Sequence, residues 1–391
     1  MRLSVVGGCA LGFALGWNVT SVGAVAEPLA DAYGVGLGVI GLVATAFFVT
    51  HVALQIPGGR ASDHFGARRT GLVGLTVAAA GNGIALATPV LGLALGGRLV
   101  VGVGTGIGFV AGSAYVRAVG GSPFAQGLYG GVGLGGAGAA LAVVPALEST
   151  LGWRAPFLSA AAVAVGAFVL LLAGARDRPD RRDAGSSARR GVLLDRALVP
   201  LGVLYAASFG LSIVVGNWVV TLLERNTDLT LEQAGLVGAL TLALGVVTRP
   251  LGGWVMRAHP ERTRAAVGAS LALGAAGTLA LTAAGPVVLA ATGAALIGIA
   301  AGIPFAPAFL GAAATRPDAP AAAIGYVNGV GNFAAVVGTP LLGIGFALPG
   351  DGRLGFLLVA VLWLGALALL PDARDLGVGG VSPAGPRSRP G

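Results

Sequence analysis

The sequence predicts an all-α polytopic membrane protein with twelve transmembrane helices in two six-helix halves. The 391-residue chain is 55% hydrophobic and only 10% charged, against roughly 25% charged residues in soluble domains. Its apolar runs recur at the length of about 20 residues that a membrane-spanning helix needs. Its basic residues, all of them arginine, fall almost entirely in alternate connections between those runs. A large soluble core is therefore excluded.

Breaks at charged or Pro/Gly-rich points divide the chain into the predicted spans. Those of the first half are 4–26, 36–57, 70–88, 90–115, 124–147 and 154–174. Those of the second half are 197–222, 233–255, 265–284, 286–310, 321–347 and 354–371. The first run resembles a signal peptide, but its length of 23 residues exceeds that of a usual signal-peptide core, so we expect a retained helix.

The distribution of arginine predicts the orientation. With both termini in the cytoplasm, 19 of the 24 arginines lie in cytoplasmic segments, 3 lie in outer loops and 2 lie inside spans. Cytoplasmic loops of membrane proteins carry this excess of basic residues. We therefore expect a multi-pass protein of the bacterial cytoplasmic membrane with both termini inside.

The chain also divides into two similar parts. We predict an N-terminal half at 1–174, a cytoplasmic linker at 175–196, a C-terminal half at 197–371 and a disordered cytoplasmic tail at 372–391. An offset of 194 residues places Gly58 on Gly252 and Arg68 on Arg262. Parallel repeats of this kind are typical of transporters.

The segment between the second and third spans carries a distinctive spacing, formed by Gly59, Asp63, Gly66, Arg68 and Arg69. The sequence alone indicates a tight basic loop that stays in the cytoplasm. The spacing resembles the loop between helices two and three of the major facilitator superfamily, and the resemblance covers roughly residues 3–371. It implies that two halves rock around a midplane site and that Asp63 pairs with Arg68 to hold one conformation.

Two arginines fall inside predicted spans. Arg98 precedes a run of small residues, which let helices approach closely in lipid. Because a buried guanidinium needs backbone carbonyls or a watery cavity, Arg98 is either a structural anchor or a residue of a substrate or proton path. Arg249 resembles the anion-binding arginine of the nitrate/nitrite and cyanate-type porters. Gln55 occupies the place of their second arginine, so Arg249 alone is left to bind an anion through two hydrogen bonds. The alternative is a purely structural role for Arg249.

Other polar residues of the spans could complete a substrate site. His51 lies one turn before Gln55 on the same helix face, and no Asp or Glu falls within a predicted span. His51 is therefore the one obvious titratable group within the predicted spans. The alternative is a core histidine whose hydrogen bonds are satisfied and which has no role in transport. The further candidates, each with helix packing as its alternative, are Asn332, Asn328, Asn18, Asn217 and Trp218.

The predicted function is secondary active transport of a small or medium-sized solute, an anion held by Arg249, and not catalysis. The alternative is an efflux pump for drug-like or metabolite substrates. We expect a monomer whose partners are the solute, the lipid bilayer and either a coupling proton or an exchanged anion. We expect no nucleic acid and no cofactor, and three histidines with one cysteine do not suggest a metal site of the usual kind.

Overall fold

The computed structural model describes residues 3–120, 123–177, 195–283 and 285–377, and these residues contain helices and no strand. The first helices are α1 Leu3–Thr20, α2 Ala26–Tyr33, α3 Leu37–Phe65, α4 Ala67–Ala85, α5 Leu91–Gly120, α6 Pro123–Leu151 and α7 Ala155–Ala173. The next are α8 Val199–Tyr205, the π-helical turn Ala206–Leu211, α9 Ser212–Asn226, α10 Leu231–Ala243 and α11 Gly245–Ala258. The last are α12 Thr263–Thr282, α13 Val287–Gly302, α14 Phe305–Thr315, α15 Pro320–Gly345 and α16 Arg353–Ala368.

Within the described ranges, nine segments are long and apolar enough to cross a bilayer. One of them, Ala125–Ala173, has 49 residues and contains most of α6 and all of α7. The helix α16, with 16 residues, is apolar but shorter, and α4 is not among the nine. The predicted all-helical, polytopic class is confirmed, whereas the number of twelve spans stays a prediction.

The glycines of α5 bring its backbone against α3. A Cβ atom on Gly102 would collide with the carbonyl of Phe47, and one on Gly106 would collide with the backbone of His51. Small residues at such positions allow close packing where lipid offers no hydrophobic drive. The sequence pattern predicted this packing, and it positions His51 beside α5.

The largest interfaces between the predicted halves, among the described residues, are those of α6 with α10 and α11 and of α3 with α15. At the predicted outer end, Arg225 Nε lies 2.5 Å from Glu27 Oε1, and Arg225 Nη1 donates a hydrogen bond to the carbonyl of Phe346 at 3.2 Å. Among the described residues, this is the one ion pair that joins 1–174 to 197–371. The division into halves stays a prediction.

The end of α3 differs from the prediction. The span was expected to end at residue 57, followed by a loop, but α3 continues through Pro57 to Phe65. Gly59 and Asp63 therefore lie on the helix, and the turn is made by Gly66, whose φ is +90°. Proline is tolerated inside a membrane helix because neighbouring helices compensate for the lost backbone bond.

The predicted pairing of Asp63 with Arg68 is absent. Asp63 is exposed and makes no hydrogen bond or ion pair with another described residue. Arg68 Nε instead donates to the carbonyl of Leu171 at 3.0 Å, and its Nη2 donates to the carbonyl of Leu172. The exposed Arg69 takes no part in these contacts.

The carboxylate at this site comes from Asp177, just beyond α7. Its oxygens accept hydrogen bonds from the backbone N–H groups of Ala67 at 2.6 Å and Arg68 at 3.1 Å. These groups are the unpaired donors at the start of α4, where a negative charge is favoured. Asp177 therefore takes the place beside α4 that the sequence assigned to Asp63.

Most of the predicted linker, 178–194, and most of the predicted tail, 378–391, lie outside the described residues. At the end of the linker, Arg316 Nη1 lies 3.3 Å from Asp195 Oδ2, and Arg316 Nη2 lies 2.7 Å from Asp318 Oδ2. The hydrogen bond from Arg316 lowers the pKa of Asp318. At the start of the tail, Leu376 is fully buried.

Candidate functional site

A cavity of about 80 Å³ lies between residues of both predicted halves. Aromatic rings and glycines form most of its wall. The polar or charged side chains on it are those of His51, Tyr129, Tyr205, Arg249, Asn328 and Asn332. Four of these six were predicted site residues, and the structure brings them together.

Arg249 supplies the positive charge of the cavity. Its side chain belongs to a residue that is only 6% exposed, and its Nη1 donates a hydrogen bond to the carbonyl of Gly130 at 2.8 Å. Its Nε is buried without a hydrogen-bond partner. Among the described residues that line the cavity there is no Asp or Glu. The guanidinium is therefore an uncompensated cation.

Aromatic residues surround this guanidinium. Its central carbon lies 4.2 Å from the ring centre of Phe305 and 5.9 Å from that of Phe209. The hydroxyl of Tyr205 also interacts with it. Ring faces stabilise a cation without neutralising its charge, so the charge remains available to a ligand.

Gly131 brings the α6 backbone close to α11. A Cβ atom on Gly131 would lie only 3.1 Å from the backbone of Val246, whereas one on Gly130 would meet Arg249 Nη1 and the Phe305 ring at an ordinary contact distance of 3.5 Å. The glycine-rich stretch therefore joins α6 closely to α11 and places one backbone acceptor on the guanidinium.

His51 lies on the wall contributed by α3. Its Nδ1 is 3.0 Å from the hydroxyl of Thr105, and the rings of Phe47, Phe48 and Phe109 lie within 6.2 Å of the imidazole. The histidine is thus a polar group held in an aromatic environment. It is the single titratable side chain that α3 contributes to the described wall.

The amides of Gln55 and Asn328 meet across the α3–α15 interface, where Asn328 Nδ2 donates to Gln55 Oε1 at 3.3 Å. Asn332 Nδ2 donates to the backbone carbonyl of Asn328 within α15 at 2.9 Å. Gln55 does not line the cavity itself, but its Nε2 is buried without a partner. Gln55, which the repeat aligns with Arg249, therefore reaches the cavity wall only through its hydrogen bond with Asn328.

Arg98 is placed differently from Arg249. It is fully buried and does not line the cavity. Its Nε donates to the carbonyl of Val43 at 3.1 Å, and its Nη2 donates to those of Asn18 at 2.7 Å and Ala44 at 2.8 Å. The sequence left open whether backbone carbonyls or a watery cavity surround this guanidinium, and the structure has backbone carbonyls. Through them Arg98 joins α5 to α1 and α3.

Three residues proposed for the substrate site lie outside the cavity wall. Asn18 Oδ1 accepts a hydrogen bond from Asn82 Nδ2 at 3.0 Å. Asn217 Nδ2 donates to the carbonyl of Ile213 at 2.9 Å, and Trp218 Nε1 donates to that of Thr339 at 2.7 Å. Asn18 and Trp218 thus make the helix-packing contacts that were their alternative, whereas the hydrogen bond of Asn217 lies within α9.

The sequence did not reveal the aromatic residues around Arg249. Tyr205, Phe209 and Phe305 lie in apolar stretches in which any aromatic residue is more often core. The π-helical turn that carries Phe209 is a local irregularity of the kind found at functional sites. No repeat of spacing in the sequence marks it.

The chain was compared with known proteins. Residues 6–339 match the model of the Major Facilitator Superfamily. A probable sulfoacetate transporter of Cupriavidus necator is 29% identical over 284 residues, and the match spans 65% of this chain and 65% of that relative.

Solved structures of transporters share the fold. The nucleoside transporter NupG has a TM-score of 0.72 at 14% identity, with 95% of this chain and 100% of that one covered. The human organic anion transporter TETRAN has a TM-score of 0.66 at 19% identity, with 94% and 99% covered. The family match and the common fold lead to one conclusion: the chain belongs to the major facilitator superfamily.

Proposed function

We propose that this protein is a secondary transporter that moves a small organic anion across the bacterial cytoplasmic membrane, with Arg249 as the ligand of the anion. One observation carries the proposal: the guanidinium of Arg249 lines a cavity in which no described lining residue is acidic. A cation away from water is costly unless a counter-charge accompanies it. A bound anion would supply that counter-charge.

The shape of the site favours an oxyanion with a carbon skeleton. A guanidinium binds carboxylate or a similar oxyanion through two parallel hydrogen bonds. The rings of Tyr205 and Phe209, which line the cavity, would cover the carbon part of the substrate. The relative from Cupriavidus necator is named for sulfoacetate, a small molecule of this class.

Two finer alternatives are less well supported. The resemblance to nitrate/nitrite and cyanate-type porters would require a second fixed cation, and Gln55 supplies only an amide at the corresponding position. A large apolar cavity would suffice for efflux of drug-like substrates, and it would give the buried cation no role. An organic anion accounts for both the single guanidinium and the aromatic wall.

The transport cycle follows from the position of the cavity. In our proposal the halves at 1–174 and 197–371 rock about the α6–α10/α11 and α3–α15 interfaces, so that the site opens to each side in turn. The protein would be a monomer of twelve spans with both termini in the cytoplasm. The pair of Glu27 with Arg225 would form in the state that is closed on the outer side.

Uptake of radiolabelled sulfoacetate by proteoliposomes tests the proposal. We expect Arg249→Gln to lower uptake by about 10- to 100-fold, because a charge-assisted hydrogen bond contributes about 1.5–3 kcal/mol. Arg257→Gln is the matched control, since Arg257 is an exposed arginine on the same helix, and it should retain uptake within about twofold. Unchanged uptake by the Arg249 variant would contradict the proposal, and export of hydrophobic dyes by the wild type would favour efflux.

A further inference from the structure

We propose that His51 is a proton-binding second pole of the substrate site, so that the protein takes a small organic dianion together with one proton. This inference rests on the proposed function, because it requires Arg249 to hold one end of the anion. It assigns the other end to a residue of the opposite predicted half. The substrate class is then narrowed from organic anions to those with two acidic groups.

The charge environment of His51 contains cations and no described acid. Arg249 lines the same cavity, and the titratable hydroxyls on its wall are those of Tyr129 on α6 and Tyr205 in the π-helical turn. Arg98 on α5 is separated from the imidazole by the ring of Phe47, which it faces at 4.5 Å. A proton on His51 therefore has no resident counter-charge among the described residues.

The proposal assigns to the neutral ring the tautomer with its hydrogen on Nδ1. In that tautomer Nδ1–H donates to the hydroxyl of Thr105, 3.0 Å away, and this hydroxyl donates to the carbonyl of Gly102 at 3.3 Å. Nε2 then carries a lone pair. Nε2 makes no hydrogen bond with a described residue and is not sealed from open space, so it is free to take a proton at the cavity wall.

This geometry couples the proton to the anion. A neutral Nε2 would present its lone pair to the second acidic group of a dianion, which is repulsive. A proton on Nε2 converts the ring into a cationic donor, but that cation repels Arg249 when the cavity is empty. Each partner therefore favours the binding of the other, and the coupling is reciprocal. A monoanion is compensated by Arg249 alone and needs no proton.

One turnover would carry one dianion and one proton, and hence one net negative charge. Nε2 takes the proton from water on the side to which the site is open. It returns the proton to water on the other side when the dianion leaves. No covalent bond of the substrate changes.

Calorimetric binding to the purified full-length protein tests this coupling, with sulfoacetate as the dianion and methanesulfonate as the monoanion. Sulfoacetate is fully ionised above about pH 6 because carboxyl groups titrate near pH 4, so its own titration does not interfere. We expect the Kd for sulfoacetate to rise by up to tenfold per pH unit as the pH is raised from 6 to 8.5. We expect the Kd for methanesulfonate to change less than twofold.

Variants of two histidines on α3 assign the effect. His51→Gln keeps a hydrogen-bond donor but cannot take a proton, so it should weaken sulfoacetate binding at pH 6 at least tenfold and remove the pH dependence. His64→Gln, an exposed histidine at the end of the same helix, should retain both. Thr105→Val leaves His51 in place but removes the acceptor that stabilises its charged form. It should therefore lower the pH at which sulfoacetate binding begins to weaken.

The outcomes separate this inference from the proposed function. A His51→Gln variant with the wild-type pH slope would overturn the inference, as would an equal slope for methanesulfonate. If His51→Gln does not fold, a Thr105→Val variant whose sulfoacetate binding weakens at the wild-type pH would overturn the inference. Loss of binding in Arg249→Gln under any of these results would leave the proposed function standing, whereas normal binding in Arg249→Gln would reject both.

Discussion

The two intramembrane arginines, Arg98 and Arg249, are alike in sequence context and different in structure. Both are buried, at 0% and 6% exposure. Arg98 donates to three backbone carbonyls, whereas Arg249 donates to one. Each keeps one buried nitrogen without a partner, Nη1 in Arg98 and Nε in Arg249. Arg98 lies away from the cavity, and Arg249 lines it.

The difference indicates that the number of hydrogen bonds which the protein itself gives to a buried guanidinium is a guide to its role. A guanidinium whose donors are mostly used by the protein holds helices together, because its removal leaves acceptors without partners. A guanidinium on the wall of a cavity, with a single backbone acceptor, still needs a counter-charge. Arg98 is therefore an anchor of α1, α3 and α5, and Arg249 is a ligand in our proposal.

The largest effect is expected for Arg98→Gln. Loss of three hydrogen bonds from a charged donor should lower the free energy of unfolding by about 3 kcal/mol. Arg249→Gln removes one such bond and relieves an uncompensated charge, so it should cost less than about 1 kcal/mol. Thermal unfolding of both variants in detergent measures the difference, and equal unfolding midpoints would remove the distinction between anchor and ligand.

A smaller effect is expected when the charge is kept and the shape is changed. Arg249→Lys preserves the positive charge but lacks the planar fork that binds an oxyanion through two bonds. Sulfoacetate binding, measured by calorimetry, should weaken about tenfold with little change in stability. Wild-type affinity in this variant would mean that charge alone, and not bidentate geometry, holds the anion.

How far the sequence predicts these roles depends on where the partners lie. Hydropathy places both arginines inside spans, and the repeat relates Gln55 to Arg249. The carbonyls that accept hydrogen bonds from Arg98 belong to residues 54, 55 and 80 positions away in the chain, and nothing local to Arg98 specifies them. The aromatic cage of Arg249 comes from separate helices whose rings have the pattern of ordinary core.

The end of α3 was mispredicted for related physical reasons. Proline is a common signal for a helix end, but packing against α5 lets α3 continue through Pro57 to Phe65. The spacing pointed to Asp63 as the partner of Arg68, yet the carboxylate beside α4 is that of Asp177, 109 positions from Arg68. Local spacing predicted where a carboxylate is needed and not which residue supplies it.

The smallest effect is expected for Asp177 and Asp63. Like the two arginines, they differ in how many hydrogen bonds the protein gives them. Asp177 accepts two backbone hydrogen bonds at the start of α4, and Asp63 is exposed without a described partner. Asp177→Asn should lower stability by about 0.5–2 kcal/mol, and Asp63→Asn by less than about 0.5 kcal/mol. Thermal unfolding compares the two, and a larger loss for Asp63→Asn would show that its predicted pairing matters in another conformation.

An experimental structure with bound sulfoacetate tests the central claim most directly, since that claim is that Arg249 binds the anion. We predict an oxyanion of the ligand at about 2.7–2.9 Å from the guanidinium nitrogens of Arg249, with its carbon atoms against the Phe209 ring on the cavity wall. A ligand bound away from Arg249, with the guanidinium still covered by Gly130 and the aromatic rings alone, would contradict the account.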